Sequence, residues 1–260
     1  MLKLNVRTYG EPDRPPVILL HGLFGSSANW GMVSRQLAAD HFVVVPDLRN
    51  HGQSPHAPEH GYPEMAADVL YLLDRLSIER VALVGHSMGG KVAMHLALTD
   101  GARVERIVVA DMAPVRYEHD FSAVISGFSA VDLDSIASRA DADAQMRPSV
   151  AGASVRAFLL QNLIRAPEGW GWRLNLPALV AGQSRVTGFP NFPPQTRYDG
   201  PACFIHGELS DYVRPSHAPV IRGLFPAARL TRIDGAGHWV YADQPERFMQ
   251  VLRDCLQRDR

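Results

Sequence analysis

Six short runs rich in Val, Ile and Leu constrain the fold more than any other feature: Val17 to Leu20, Phe42 to Val45, Val81 to Val84, Ile107 to Ala110, Ala202 to Ile205 and Leu230 to Ile233. Runs this short and this apolar suit strands buried on both faces, as in a parallel sheet with helices on each side. Helical patterns separate most of them. Met65, Val69, Leu72, Leu73 and Leu76 recur at helical spacing, and so do Phe248, Val251, Leu252 and Cys255 behind Pro245 and Glu246, which suit a first helical turn. The expected fold class is α/β, with a mostly parallel central sheet flanked by helices. Leu2, Leu4 and Val6 alternate with polar residues, which reads as a first strand and not as the unbroken apolar run of a secretory signal. No apolar run approaches transmembrane length, so a soluble, cytoplasmic protein without a membrane span is expected.

The alternation breaks between Val115 and Arg197, where no clear strand separates Ala110 from Ala202. An insertion of that length exceeds an ordinary connection. The expectation is one domain over 1–260, with a core of 1–114 and 198–260 and a helical lid over 115–197. Phe121, Phe128, Phe158, Leu159, Leu160, Trp170, Trp172 and Phe189 lie in that lid. Most are expected to form its own small core, a few to face a substrate's apolar part.

Composition narrows the partners. The formal net charge of -1, with 20% charged residues, leaves no basic footprint for nucleic acid or an anionic membrane. A small molecule is the expected partner, and the sequence does not specify an oligomeric state. Cys203 falls in an apolar strand and Cys255 on the apolar side of a helix; both read as buried structural thiols, in keeping with a reducing compartment.

The chemistry centres on Gly85-His86-Ser87-Met88-Gly89, where the run Val81 to Val84 hands over to a helix beginning Gly90-Lys91-Val92-Ala93. G-x-S-x-G between strand and helix is a nucleophile elbow, a strained turn that holds the serine hydroxyl clear of the backbone. Ser87 is therefore the candidate nucleophile. A serine hydroxyl needs a base in hydrogen-bond reach, itself oriented by an acid, in the chain order Ser, acid, His. His238 lies in Asp234-Gly235-Ala236-Gly237-His238-Trp239, on the loop after the last strand, and is the candidate base. His95 sits on a helix, and His41, His56, His60, His119 and His217 lie in polar segments. His51 and His86 lie in turns and are expected to make structural hydrogen bonds. No pair has metal-ligand spacing, so no metal and no organic cofactor is expected.

Two aspartates compete for the acid. Asp111 directly ends the run Ile107 to Ala110, and Asp211 lies in the loop His206-Gly207-Glu208-Leu209-Ser210-Asp211-Tyr212-Val213. The oxyanion of a tetrahedral intermediate needs preorganised donors, one of them the N–H after the nucleophile, on Met88. The second is expected from the loop His21-Gly22-Leu23-Phe24-Gly25, with Leu23 N–H as the choice and Phe24 as its reserve. Phe24, Trp239 beside His238 and Tyr212 beside Asp211 are the candidate substrate-binding residues.

His21 to Ser26 (HGLFGS), Asp47 to Ser54 (containing DLRNHG), Gly85 to Lys91 (GHSMGGK), Asp111-Met112-Ala113-Pro114 and Gly235 to Val240, taken in order, resemble the YbfF-type branch of α/β-hydrolase esterases. The likeness runs end to end and is weakest through the lid. It implies the α/β-hydrolase fold and carboxylic-ester hydrolysis, with acyl thioesters such as acyl-CoA as further substrates. It also implies two-step acyl transfer through Ser87, with His238 as general base and acid. The resemblance bears on the acid as well. Many α/β hydrolases carry it in G-x-x-D-x-x-V after the penultimate strand, where this chain has Ser210 and the aspartate comes one residue late. YbfF-like enzymes place it after the preceding strand, which matches Asp111. Another Ser-His-Asp activity, such as that of a carbon-carbon bond hydrolase, a perhydrolase or a lyase, and a non-catalytic ligand-binding role are the alternatives.

Overall fold

The computed structural model describes residues 1–118 and 121–257. Within them the strands of the main sheet are β1 (Val6–Tyr9), β2 (Pro16–Leu20), β3 (Phe42–Pro46), β4 (Val81–His86), β5 (Val104–Ala110), β8 (Ala202–Gly207) and β9 (Ala228–Ile233). Their order is β1-β3-β2-β4-β5-β8-β9. Only the β1 to β3 pairing is antiparallel; every other neighbour is parallel. The fold is α/β, with the mostly parallel sheet expected from the apolar runs.

Alternation along the strands divides the core. Ile18, Leu20, Val44, Leu83 and Val109 face one side, where helices α2 (Tyr62–Arg75) and α3 (Met88–Thr99) bring Met65, Val69, Val92 and Leu96. Val17, Leu19, Val43, Val84 and Val108 face the other, covered by α1 (Gly31–Leu37) and α11 (Pro245–Leu256) through Val33, Leu37, Phe248 and Leu252. Helices on both faces remove the strands from water, which is why their sequences are apolar at successive positions. Two short helices, α9 (Ala218–Leu224) and α10 (Val240–Asp243), flank β9.

Between β5 and β8 the chain builds α4 (Ser122–Ala130), α5 (Arg139–Met146), α6 (Ala153–Leu159), α7 (Leu176–Ala181) and α8 (Gln183–Thr187). It also builds a two-stranded hairpin, β6 (Leu163–Ala166) with β7 (Gly169–Trp172). A purely helical insertion was expected; the hairpin corrects that. Four-residue strands carrying Arg165, Gly169 and Gly171 lack the apolar runs that mark a sheet core, so nothing in their pattern announces them. Phe128, Leu159, Leu160 and Leu163 close a small cluster into which Phe24 reaches from the main domain, with Phe121, Phe158, Trp170 and Trp172 at its margin. Phe189 departs from this: it packs against the main core, its ring 6.2 Å from that of Tyr62.

Three further expectations are corrected. The first strand begins only at Val6, because Leu2 and Leu4 precede the residues that pair with β3. Cys203 and Cys255 are not free thiols but a disulfide, with Cα atoms 6.1 Å apart. Helix α11 lays its apolar stripe across β8, so two small buried sulfurs meet; burial was legible in the sequence, the facing partner was not. The pairing removes the argument from free thiols for a reducing compartment. His60, placed among polar residues, is fully buried. His119 lies outside the described residues. No helix among the described residues is long and apolar enough to cross a membrane.

Candidate active site

Parallel strands point their C-terminal ends to one edge, and there β2, β4, β5, β8 and β9 all release loops that meet. Strand β4 ends at His86 and α3 starts at Met88, leaving Ser87 alone in the turn with φ 52° and ψ -118°. A positive φ on a residue with a Cβ is strained and is sustained only by its surroundings. The glycines explain how. A side-chain carbon at Gly85 would lie 2.2 Å from the Gly89 carbonyl oxygen, and one at Gly89 would lie 2.3 Å from that of Leu20. Strand, helix and the neighbouring strand end are packed backbone to backbone.

His86, inside the elbow, donates from Nε2 to the His238 carbonyl at 2.9 Å. Burial, reinforced by the nearby His238, holds its pKa well below the usual histidine range. A neutral ring thus ties the elbow to the loop after β9.

The His238 ring meets one aspartate. Its Nδ1 lies 2.7 Å from Asp111 Oδ2. Asp111 is 0% exposed, sits at φ 51° directly after β5, and accepts from Gly207 N–H at 3.2 Å and from the Ser210 hydroxyl. Asp211 instead has an 83% exposed side chain and pairs with Arg214 at 3.5 Å. The structure therefore brings Asp111 to His238 and turns Asp211 to solvent. Sequence reasoning missed Ser210. Its signal was present: it occupies the position where related chains carry an aspartate, and its hydroxyl points to the carboxylate that sits elsewhere.

The loop after β2 is held from beneath. Phe24, at φ 61°, donates its N–H to His51 Nε2 at 3.1 Å, while His51 Nδ1 donates to the Arg49 carbonyl at 2.9 Å. His21 does the same for the next layer, donating from Nδ1 to the Gly22 carbonyl at 2.9 Å and accepting Leu48 N–H at 2.9 Å. These bonds fix each tautomer, and burial keeps both rings neutral by lowering their pKa values. Behind them His60 is pulled down to about 4 by burial and then by Arg49, which pairs with Asp68 at 2.7 Å. Asp47 accepts Ser27 N–H at 2.7 Å and Gln53 N–H at 2.9 Å. The Asp47 to Gly52 motif is thus a plinth under the loop. Phe24 N–H is committed to it, whereas among the described residues neither Leu23 nor Met88 N–H has a protein acceptor.

Of two adjoining cavities, the first reaches Ser87 and the second does not. One of about 170 Å³ is lined by Ser87, His238, Leu23, Phe158, Tyr212 and Trp239. The other, about 290 Å³ and apolar, lies between the insertion and the main domain, among Phe24, Phe121, Ile125, Phe128, Leu179 and Val186. Leu23, Phe24 and Phe121 border both. The first opens past Phe158 and Trp239 to a wide groove of about 1070 Å³ carrying Asn29, Arg139, Gln161 and Arg173. The Tyr212 ring stacks on His238 at 3.9 Å and 17°, and the Trp239 ring lies 5.6 Å from that of Phe158. Among the described residues the Ser87 hydroxyl makes no hydrogen bond to the ring; such contacts commonly tighten only when substrate is bound. No group of three or more His, Cys, Asp or Glu side chains among them is arranged to hold a metal ion.

This fold and this meeting of strand ends are those of the α/β hydrolases. The family described by the alpha/beta hydrolase fold matches residues 15–245, and the chain belongs to it. It is a carboxylic ester hydrolase of that family. It is similar to the sn-1-specific diacylglycerol lipase ABHD11 of Mus musculus, 39% identical over 95% of this chain and 82% of the relative. It is likewise similar to the esterase YbfF of Escherichia coli strain K12, 36% identical over 98% of this chain and 99% of the relative. Among solved structures, a marine microorganism esterase superposes with a TM-score of 0.95 at 33% identity, covering 98% of this chain and 100% of the other.

Proposed function

We propose that the protein is a serine esterase that works through an acyl-enzyme on Ser87. His238 takes the Ser87 proton as the hydroxyl attacks the ester carbonyl, and Asp111 holds the ring with Nδ1 protonated and stabilises the imidazolium that forms. The Met88 and Leu23 amides receive the oxyanion. His238 then protonates the leaving alcohol or thiol, and later activates the water that releases the acid. The observation that carries this reading is the fully buried Asp111 carboxylate 2.7 Å from His238 Nδ1, beside the cavity that Ser87 lines.

The cavities suggest which part of the substrate goes where. The apolar cavity between insertion and main domain suits the acyl chain, with residues 115–197 acting as the lid. The wide groove past Trp239, which carries Arg139, Gln161 and Arg173, suits a bulky leaving group, which admits glycerol esters and acyl thioesters alike. Ser87→Ala tests the reading. It is expected to abolish p-nitrophenyl butyrate hydrolysis and fluorophosphonate labelling while the thermal melt stays near wild type. Turnover at the wild-type rate would refute it.

A further inference from the structure

Lys91 stands one helical turn after Ser87 and is 1% exposed, yet ester hydrolysis as described has no step for it. Its ammonium donates to the Thr187 carbonyl at 3.0 Å and the Gly188 carbonyl at 2.6 Å. It also lies 4.7 Å from the centre of the Tyr117 ring and 5.8 Å from that of Tyr62. Tyr117 belongs to the segment by which the chain leaves the sheet after β5. Thr187 and Gly188 belong to the segment by which it starts back toward β8. The two segments are also joined directly, since Tyr117 N–H donates to the Thr187 carbonyl at 2.9 Å. Both necks of the insertion therefore converge on one buried amine rooted in the helix that follows the nucleophile.

The network continues to the base. The Tyr117 hydroxyl accepts Ala113 N–H at 2.8 Å and donates to the Tyr212 carbonyl at 2.5 Å, and the Tyr212 ring is the one stacked on His238. Burying an ammonium is unfavourable, and an apolar side chain of the same length would pack without that penalty. Desolvation, followed by the charge of Arg116, pulls the Lys91 pKa down to about 7. A methionine would fill the space but would bind neither carbonyl and would not sit as a cation on the Tyr117 face.

We propose that Lys91 is a positioning residue that clamps both necks of the insertion onto the nucleophile helix. It thereby sets the apolar cavity against the one that Ser87 lines and, through Tyr117 and Tyr212, steadies the plane of the His238 ring. The proposal rests on the esterase reading above for its catalytic consequence, but the clamp itself is measurable without turnover.

The test compares wild type with Lys91→Met, by amide hydrogen exchange and by kinetics on p-nitrophenyl acetate and octanoate. Exchange over 115–118 and 184–188 is expected to quicken at least tenfold, with amides of β4 and β5 unchanged. KM for the octanoate ester is expected to rise about tenfold, more than kcat falls, and acetate kinetics to change less. Tyr117→Leu removes the ring and keeps the ammonium; it is expected to give the same split at smaller size, and it decides the matter if Lys91→Met does not fold. Neck exchange and octanoate KM within twofold of wild type in the folded variant would overturn the clamp. Wild-type protein that fails to label at Ser87 with a fluorophosphonate, while neck exchange responds to Lys91→Met, would overturn the esterase reading and support the clamp.

Discussion

On one side of Ser87, β2, β4, β5, β8 and β9 each deliver a site residue from a hydrogen-bonded strand end. On the other, the site is covered by helices of five to nine residues that join no strand of the main sheet. The sheet side is over-determined: Ser87 and Asp111 hold positive φ because backbone packs on backbone around them, as the Gly85 and Gly89 contacts show. The inserted side rests on a small apolar cluster, on the bonds at its necks and on scattered hydrogen bonds such as those of Asn162 to Phe24 and of Asn175 to Asn50. The contrast suggests a division of labour. On the mechanism proposed above, groups that must hold a reacting atom within a few tenths of an ångström would sit on the rigid side, and surfaces that measure an acyl chain on the side that can be rearranged at lower cost.

Substitutions can break or sharpen that contrast. The largest effect is expected from Asp111→Asn, which leaves the sheet side intact but offers the imidazole the wrong partner; turnover should fall about ten-thousand-fold, as a mis-set histidine tautomer does. Asp211→Asn, on the exposed rim, should stay within about twofold. Measured side by side on p-nitrophenyl butyrate, near-equal activities would break the assignment of the acid. Next comes the Cys203–Cys255 disulfide, which ties α11 to β8 across a separation of 52 residues. Reducing it should lower the unfolding free energy by about 2 to 4 kcal/mol in urea melts with and without reductant. KM should not move, because the bond lies on the side away from the acyl cavity.

A smaller effect is expected beneath the oxyanion loop. His51→Ala leaves the buried Phe24 N–H without its acceptor, which costs about 1 to 3 kcal/mol. If that loop is as tightly held as the elbow, the loss should appear in kcat/KM as about a ten- to hundredfold drop at unchanged ester-length preference. The smallest is expected on the inserted side. Ile125→Trp fills part of the 290 Å³ cavity and should weaken octanoate against butyrate esters by about tenfold, with kcat for butyrate little changed. A chain-length profile indifferent to Ile125 would move the acyl chain out of that cavity.

Residue patterns carried the main sheet because its strands are buried on both faces, and burial writes itself as short apolar runs. They did not carry β6 and β7, which are only four residues each, β6 interrupted by Arg165 and β7 half-buried with two glycines. They put Ser87 in the turn between β4 and α3 and His238 after β9, where the structure also has them, for the same local reason: a serine between flanking glycines and a histidine behind Gly235 and Gly237 are visible in a few adjacent residues. Ser210 and His51 were harder. Each acts through a partner distant in sequence, Asp111 and Phe24, and a hydrogen bond across that distance leaves no periodic trace.

The sequence by itself determined a three-layer α/β architecture, the elbow at Ser87 and an insertion after β5, since all three follow from local pattern and chain length. Tertiary structure alone decided the rest. It turned Asp111 inward and Asp211 outward, committed Phe24 N–H to His51, paired Cys203 with Cys255, and brought both necks of the insertion to Lys91. The reason is common to all four. Burial can be read from a residue's own neighbours, but which two buried groups face each other depends on how separate elements dock, and that is a property of the packed whole.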